Sequence, residues 1–316
     1  MNYTNCKIYN LKSKKSLRYL LKITNKNSFN QKDIAMEYNI YIDTKAKPRL
    51  VEAPSYSVKQ IQRSLKSQLS QIKVPNYVFS GVKGKSYYDN ALIHKGNKYV
   101  YKIDLTAFFP CIPREYVYLF FINELKTSPD IANILTNLTT VDLTLCPLKN
   151  VDKVESFYMQ KKLKNSNHLA TGSPASPILS YLVNRPMFDE LYNLSSKNNI
   201  VMTIYADDVT FSCANKINYR FKTMVNKIVT KYHYMISKSK VKTYTKNYPK
   251  LITGVVLDRN GNPIPRNSMR LKVIHELTEL KLNPEKSKKR LQGLLTAIRQ
   301  VNPGQYQNLY KFSKEK

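Results

Sequence analysis

Residues 204–213 read IYADDVTFSC, two adjacent aspartates between short runs of apolar and β-branched residues. IVMTIY before the pair and VTFSC after it have strand-like composition, so the spacing predicts a β-hairpin with Asp207 and Asp208 at its tip. A tight turn needs at most one Asp. Two neighbouring carboxylates repel each other, which raises at least one pKa unless something positive sits between them. A third acid, Asp104, lies in the β-rich stretch KYVYKIDLTAFF, which is expected to deliver it at the end of a strand. If that strand neighbours the hairpin in one sheet, the three carboxylates converge. Hard oxygen ligands that leave coordination positions open suit Mg²⁺, with substrate phosphates completing the shell. Two such ions, roughly 3.5–4 Å apart, would activate an attacking hydroxyl and stabilise a leaving pyrophosphate. On spacing alone, an ordinary Asp-Asp turn and a helix-capping Asp104 stay open.

The charge balance points to a polyanionic partner. The chain of 316 residues carries 52 Lys and Arg against 21 Asp and Glu, a formal net charge of +31. Such an excess makes the folded chain repel itself unless a polyanion neutralises it. Its distribution is uneven. No acid lies between Val209 and Leu257, while residues 216–250 hold ten Lys or Arg with Tyr219, Tyr232, Tyr234, Tyr244 and Tyr248 among them. Residues 1–32 carry eight basic residues and no acid. Basic stretches interleaved with tyrosines suit phosphate contacts and base stacking; a solvated basic face is the plainer alternative. No apolar run reaches the length of about eighteen residues that a membrane helix needs, and the basic N-terminus lacks the apolar core of a signal peptide. Cys6, Cys111, Cys146 and Cys213 are widely separated, which fits neither a zinc site nor a disulfide framework and suits a reducing cytoplasm.

Along the chain, Val58, Ile61, Leu65, Leu69 and Ile72 fall at helical spacing before Pro75. Residues 173–191 read as a helix with Pro174 and Pro177 in its opening turns and a kink at Pro186. Ile217, Phe221, Met224, Val225, Ile228 and Tyr232 mark an amphipathic helix after the hairpin, and LITGVVLDRNGNPIP a strand followed by a turn. Asn283-Pro284-Glu285 makes a helix start within a helical C-terminal region. The expected class is α+β, helical at its ends with a sheet in the middle.

The order of the pieces carries more than any one of them. YADD, about a hundred residues after KIDLTAFF and with GSPASPILS between, resembles a reverse transcriptase. PRLVEAPSYSVKQIQRSL resembles the family's first fingers block, with Arg49, Pro54, Lys59, Gln62 and Arg63 at matching places, and YMISKSKVKT the block after the catalytic hairpin, with Lys240 at the family's lysine. NALIH (Asn90, Ala91, His94) resembles the NAxxH signature of retron enzymes, and LITGVV their VTG motif, with Ile252 in place of Val and Thr253-Gly254 retained.

The resemblance implies a right-hand polymerase fold: a basic helical extension over 1–46, fingers and palm over 47–257, with the catalytic aspartates on an antiparallel palm sheet, and a small helical thumb or RNA-binding subdomain over 258–316. It makes Asp104, Asp207 and Asp208 the catalytic acids and ligands of two Mg²⁺, with the Leu105 carbonyl completing one shell. Phe109 would exclude a 2′-OH, which selects dNTPs by a clash. Arg49 and Arg63 would meet the triphosphate, Lys240 the leaving pyrophosphate, and Gly172 would let backbone approach nucleotide or template. Asn90, His94, Thr253 and Gly254 would form RNA surfaces. The family's common Pro-Gln-Gly is Ala170-Thr171-Gly172 here, which puts one nucleotide or template contact in doubt.

The resemblance further implies a cognate structured non-coding RNA, priming from a guanosine 2′-OH, a branched RNA-linked single-stranded DNA, and an effector protein of the same operon acting in antiphage defence. Two alternatives stay open: an intron-like or diversity-generating reverse transcriptase, and a non-catalytic RNA-binding scaffold that sequesters an effector.

Overall fold

A computed structural model describes residues 1–23, 29–44, 48–283, 285 and 287–314. Helices α1 (Lys14–Leu20) and α2 (Gln31–Met36) open the chain, capped by the side chains of Ser13 and Asn30. Strands β1 (Tyr38–Asp43) and β2 (Arg49–Pro54) then form an antiparallel hairpin. The expected boundary between residues 46 and 47 lies outside the described residues, and the segment before it contains a strand as well as helices. Helix α3 (Tyr56–Leu69), capped by Ser55, buries Val58, Gln62, Leu65 and Leu69. Short α4 (Tyr87–Leu92) starts with a capping box in which Ser86 and Asp89 satisfy each other's N–H groups.

The central sheet has the order β6 (Val201–Tyr205), β7 (Asp208–Cys213), β3 (Tyr99–Asp104) and β8 (Lys242–Tyr244), antiparallel throughout. The period of two in a strand divides its side chains cleanly. Tyr101, Ile103, Met202, Ile204, Val209 and Phe211 enter the main core, while Lys102, Asp104, Asp208, Thr210, Ser212 and Thr203 share the other face by register.

Between β3 and β6 come α5 (Arg114–Leu119), α6 (Pro129–Thr139), β4 (Thr140–Asp142), α7 (Val151–Lys161), β5 (Asn167–Leu169), α8 (Ser176–Val183) and α9 (Arg185–Lys197), with β4 and β5 paired. The single kinked helix expected over 173–191 is two helices. Pro186 has no N–H for the Leu182 carbonyl, and the chain breaks at Asn184, whose side chain bonds Ser180 and accepts from Tyr234. Helix α10 (Tyr219–Lys231), capped by Asn218, buries Phe221, Val225, Ile228 and Val229 and leaves Met224 exposed.

Where a strand and a turn were expected there is a three-stranded sheet of β9 (Lys250–Ile252), β10 (Val255–Leu257) and β11 (Pro263–Pro265). Its last strand falls after residue 258, inside the segment expected to be helical. The chain ends in α11 (Asn267–Leu282), α12 (Lys289–Val301) and α13 (Gln307–Phe312), with a core of their own built on Val273, Leu280, Leu291, Leu295 and Ile298. In the expected helix start at Asn283-Pro284-Glu285, Pro284 lies outside the described residues; Asn283 closes α11 and α12 begins at Lys289. The class is mixed helix and antiparallel sheet, as expected. Among the described residues no helix is long and apolar enough to cross a membrane.

Candidate active site

The hairpin predicted from the sequence is present, with a two-residue loop. Tyr205 pairs with Asp208, leaving Ala206 and Asp207 at the tip. Asp104 ends β3 directly opposite Asp208, and the N–H of Leu105 donates to the Asp207 carbonyl at 2.9 Å. Register alone therefore gathers the three aspartates at one end of the central sheet. Ala206 (φ 55) at the tip and Ala107 (φ 46) after Asp104 are both left-handed, a conformation that costs a residue with a Cβ on the order of 1–3 kcal/mol and clusters at functional sites.

Positive charge meets these acids from two directions. Lys240 Nζ lies 2.9 and 2.7 Å from the two carboxylate oxygens of Asp104. It is held there by backbone: Ser237 N–H donates to the Asp104 carbonyl at 2.9 Å, and Lys240 N–H to the Ser237 carbonyl at 2.9 Å. Lys102 Nζ lies 2.7 Å from Asp208 Oδ2, with both side chains mostly buried. Sequence reasoning missed Lys102. The signal was there, because two residues before Asp104 on a strand is the same face.

Asp207 has neither lysine as an ion-pair partner. Burial, then the charges of Asp104 and Asp208, push its pKa up to about 6. Asp208 is also raised, chiefly by burial and against the pull of Lys102. Among the described residues no three acid, imidazole or thiol groups converge into a ready-made metal cage. The donor chemistry nevertheless suits divalent cations. Three carboxylates adjoin at one sheet end, two of them, Asp207 and Asp208, carry elevated pKa values, and two already hold cationic groups.

The other expected residues are placed as follows. Leu105 is buried, so only its backbone is available to a ligand. Phe109 packs partly buried beside Phe108, in the turn that Ala107 initiates. Arg49 opens β2 and Arg63 lies on α3, both exposed; no hydrogen bond or ion pair joins either to the aspartates among the described residues. Gly172 is required by packing against β2, since a Cβ there would stand 1.9 Å from the Glu52 carbonyl oxygen. Glu52 itself, missed in the sequence, is fully buried and clamps this loop. It accepts from Thr171 N–H at 2.7 Å and sits 2.7 Å from His168 Nε2.

Asn90 and His94 are not at a surface. The His94 ring lies between Ser212 Oγ at 2.6 Å and Thr203 Oγ1 at 2.7 Å, and burial lowers its pKa to about 3, so it is neutral. Asn90 donates to Thr253 Oγ1 at 3.2 Å, and that hydroxyl donates to the Tyr87 carbonyl at 2.8 Å. Thr253 (φ 42) and Gly254 (φ 93) form the two-residue loop between β9 and β10. The expectation that Asn90 and His94 present an RNA surface is therefore corrected. The Asn90 amide N–H and both His94 nitrogens are engaged inside the protein, fixing α4 and the β9–β10 loop onto the central sheet, while Asn90 Oδ1 is buried without a partner among the described residues.

The reverse transcriptase (RNA-dependent DNA polymerase) family matches residues 25–306. Similar proteins include the retron Ec83 reverse transcriptase of Escherichia coli, 30% identical over 67% of this chain and 65% of the relative. The retron Se72 reverse transcriptase of Salmonella heidelberg is 27% identical over 66% and 51%, and the retron Mx65 reverse transcriptase of Myxococcus xanthus 24% over 84% and 61%. The chain thus spans between about half and two thirds of these relatives' lengths. Members of this family generally use divalent metal ions. With the family match running from before β1 to beyond α12, and the opposed aspartates of β3 and the hairpin inside it, this chain belongs to the reverse transcriptase family.

Proposed function

We propose that the chain is the RNA-directed DNA polymerase of a retron. The observation that carries this is the meeting of Asp104, Asp207 and Asp208 at one sheet end, with two lysines supplying charge and Asp207 still short of it. The retron names of its relatives support the branch. On this reading the central sheet is the palm, β1, β2 and α3 belong to the fingers, and α11–α13 form the thumb.

The three aspartates would hold two Mg²⁺ ions, which when bound supply the charge that activates a primer hydroxyl and steadies the leaving pyrophosphate. The chain's own residues do the positioning. Lys240, half exposed on its 3₁₀ turn, is free to leave Asp104 and meet the triphosphate; Lys102, enclosed, stays with Asp208. Phe109 would stand against the sugar 2′ position. Arg49 and Arg63 offer exposed guanidinium groups to phosphate oxygens. The Glu52 clamp keeps the 170–172 loop against the fingers, so Gly172 acts through packing. Holding primer and nucleotide in line supplies much of the rate by geometry and electrostatics.

The proposed partner is a cognate structured RNA, with synthesis starting from a guanosine 2′-OH to give RNA-linked single-stranded DNA, and an effector protein completing an antiphage system. Asn90, His94 and Thr253 serve it by setting the β9–β10 loop. The test is expression with the flanking upstream DNA, wild type beside Asp207→Asn, and analysis of co-purified nucleic acid. Single-stranded DNA with a debranching-sensitive RNA link, absent in the variant, is the expected result. RNA bound equally by both, with no DNA, would show a scaffold instead.

A further inference from the structure

At the strand ends remote from the aspartates lies a cavity that the mechanism above does not use. It measures about 140 Å³ and sits where the turn after α4, the approach to β3 and the 258–261 turn meet. Four cationic side chains line it, Lys98, Lys246, Lys250 and Arg259, and Asn97 and Asn260 add amide groups. Two left-handed glycines let the turns close on each other: Gly96 (φ 85) and Gly261 (φ 82), where a Cβ on Gly261 would stand 3.4 Å from the Gly96 nitrogen.

Lys250 is the unusual member. It is only 4% exposed, and its ammonium donates to the Tyr248 carbonyl at 3.2 Å. Burial lowers its pKa. Among the described residues it forms no ion pair with a carboxylate. Asp258, the acid that acts on it electrostatically, is engaged by the N–H groups of Asn260 and Asn262 in its own turn. A buried cation normally has a paired counter-charge. Here the cavity offers space for one and three more cations around it.

A second recess, of about 300 Å³, lies along the 243–249 segment that runs past Lys246, lined by Thr243, Tyr244, Thr245, Tyr248 and Pro249. Tyr248 is 64% exposed, and its carbonyl is the one Lys250 holds. A cationic cavity joined to an exposed aromatic ring matches a phosphate with its neighbouring base. A duplex presents phosphates but hides base faces; only an unpaired nucleotide offers both.

We propose that the cavity binds a backbone phosphate of an unpaired RNA nucleotide whose base stacks on Tyr248. The choice of RNA rests on the polymerase reading above; the site itself rests on the cavity and the ring.

Two variants test it, Tyr248→Ala and the double variant Lys246→Gln/Arg259→Gln. All three side chains are exposed, and thermal melting checks the fold. The probes are the RNA that co-purifies with wild type, a fully paired RNA of equal length, and inorganic phosphate, with the RNAs titrated over a salt series. Tyr248→Ala should weaken binding of the co-purified RNA by about five- to a hundredfold. The double variant should flatten the slope of log affinity against log salt by about one. Unchanged affinity and slope in both variants overturn the proposal, as does equal weakening toward the paired RNA. A phosphate-induced rise in melting temperature that the double variant loses while RNA binding stays intact assigns the cavity to free phosphate and also overturns it. Oligo(dT)-primed DNA synthesis on poly(rA) by wild type, run alongside, judges the polymerase reading separately.

Discussion

Lys102 and Asp208 meet diagonally across neighbouring antiparallel strands, Nζ to Oδ2 at 2.7 Å, and both are mostly shielded from water. Lys102 shares its face of β3 with Asp104, so one strand supplies both a carboxylate of the site and the counter-charge for another.

Removing that counter-charge should be felt as pH dependence. In Lys102→Met, Asp208 loses the interaction that lowers its pKa while burial continues to raise it. The acidic limb of the polymerisation rate profile should move to higher pH, and Lys102→Arg should largely restore it. Identical profiles for wild type and Lys102→Met would sink this assignment.

Asp207 makes a prediction about stability. Its folded pKa, about 6, lies above the unfolded value of about 4. The folded chain therefore holds this proton more tightly, and the stability this contributes is complete below about pH 4 and lost as pH rises through about 6. In metal-free buffer with a chelator, Asp207→Asn should melt with wild type at pH 4, melt higher by pH 6, and keep that margin at pH 8. DNA synthesis should be abolished throughout. A constant difference in melting temperature across this range would refute the raised pKa.

Gly172→Ala should destabilise the chain by about 1–3 kcal/mol, because the new methyl collides with backbone of β2 and not with a mobile side chain. Urea denaturation measures this without any nucleotide. A variant of wild-type stability that fails only in nucleotide binding would return Gly172 to direct ligand contact.

Thr253→Val keeps the shape of the β9–β10 loop but removes the hydroxyl joining Asn90 to the Tyr87 carbonyl. Each lost hydrogen bond should cost about 1 kcal/mol, seen as a lower urea midpoint, with RNA affinity falling alongside. RNA affinity that drops with no change in stability would instead place the hydroxyl on the RNA.

The sequence showed the aspartates clearly because their spacing survives without tertiary context: a period-two strand ending in Asp104, and a hairpin whose turn holds Asp207. Helices α3 and α10 were legible for the same reason, since their apolar positions recur at helical spacing. What stayed hidden depends on partners far along the chain. Gln62 matched the family's fingers block, yet it is buried and donates to Tyr38 and to the Leu138 carbonyl. His94 reads locally as a surface residue because nothing near it in sequence reveals that Ser212 and Thr203, more than a hundred residues on, take both its nitrogens. Glu52 was invisible as a clamp because its partners, His168 and Thr171, lie on another element. Strands β9 to β11 were compressed into one because each is three residues long, too short for alternation to register.

The turn that carries Lys240 also limits how the gene can drift. Ser237 is tied to the Asp104 carbonyl and Lys240 to Ser237, so these three residues measure off the distance from the strand end to the ammonium. One codon gained or lost between Ser237 and Lys240 would swing the charge away from its acid. Homologues should accordingly keep a fixed count from 237 to 240.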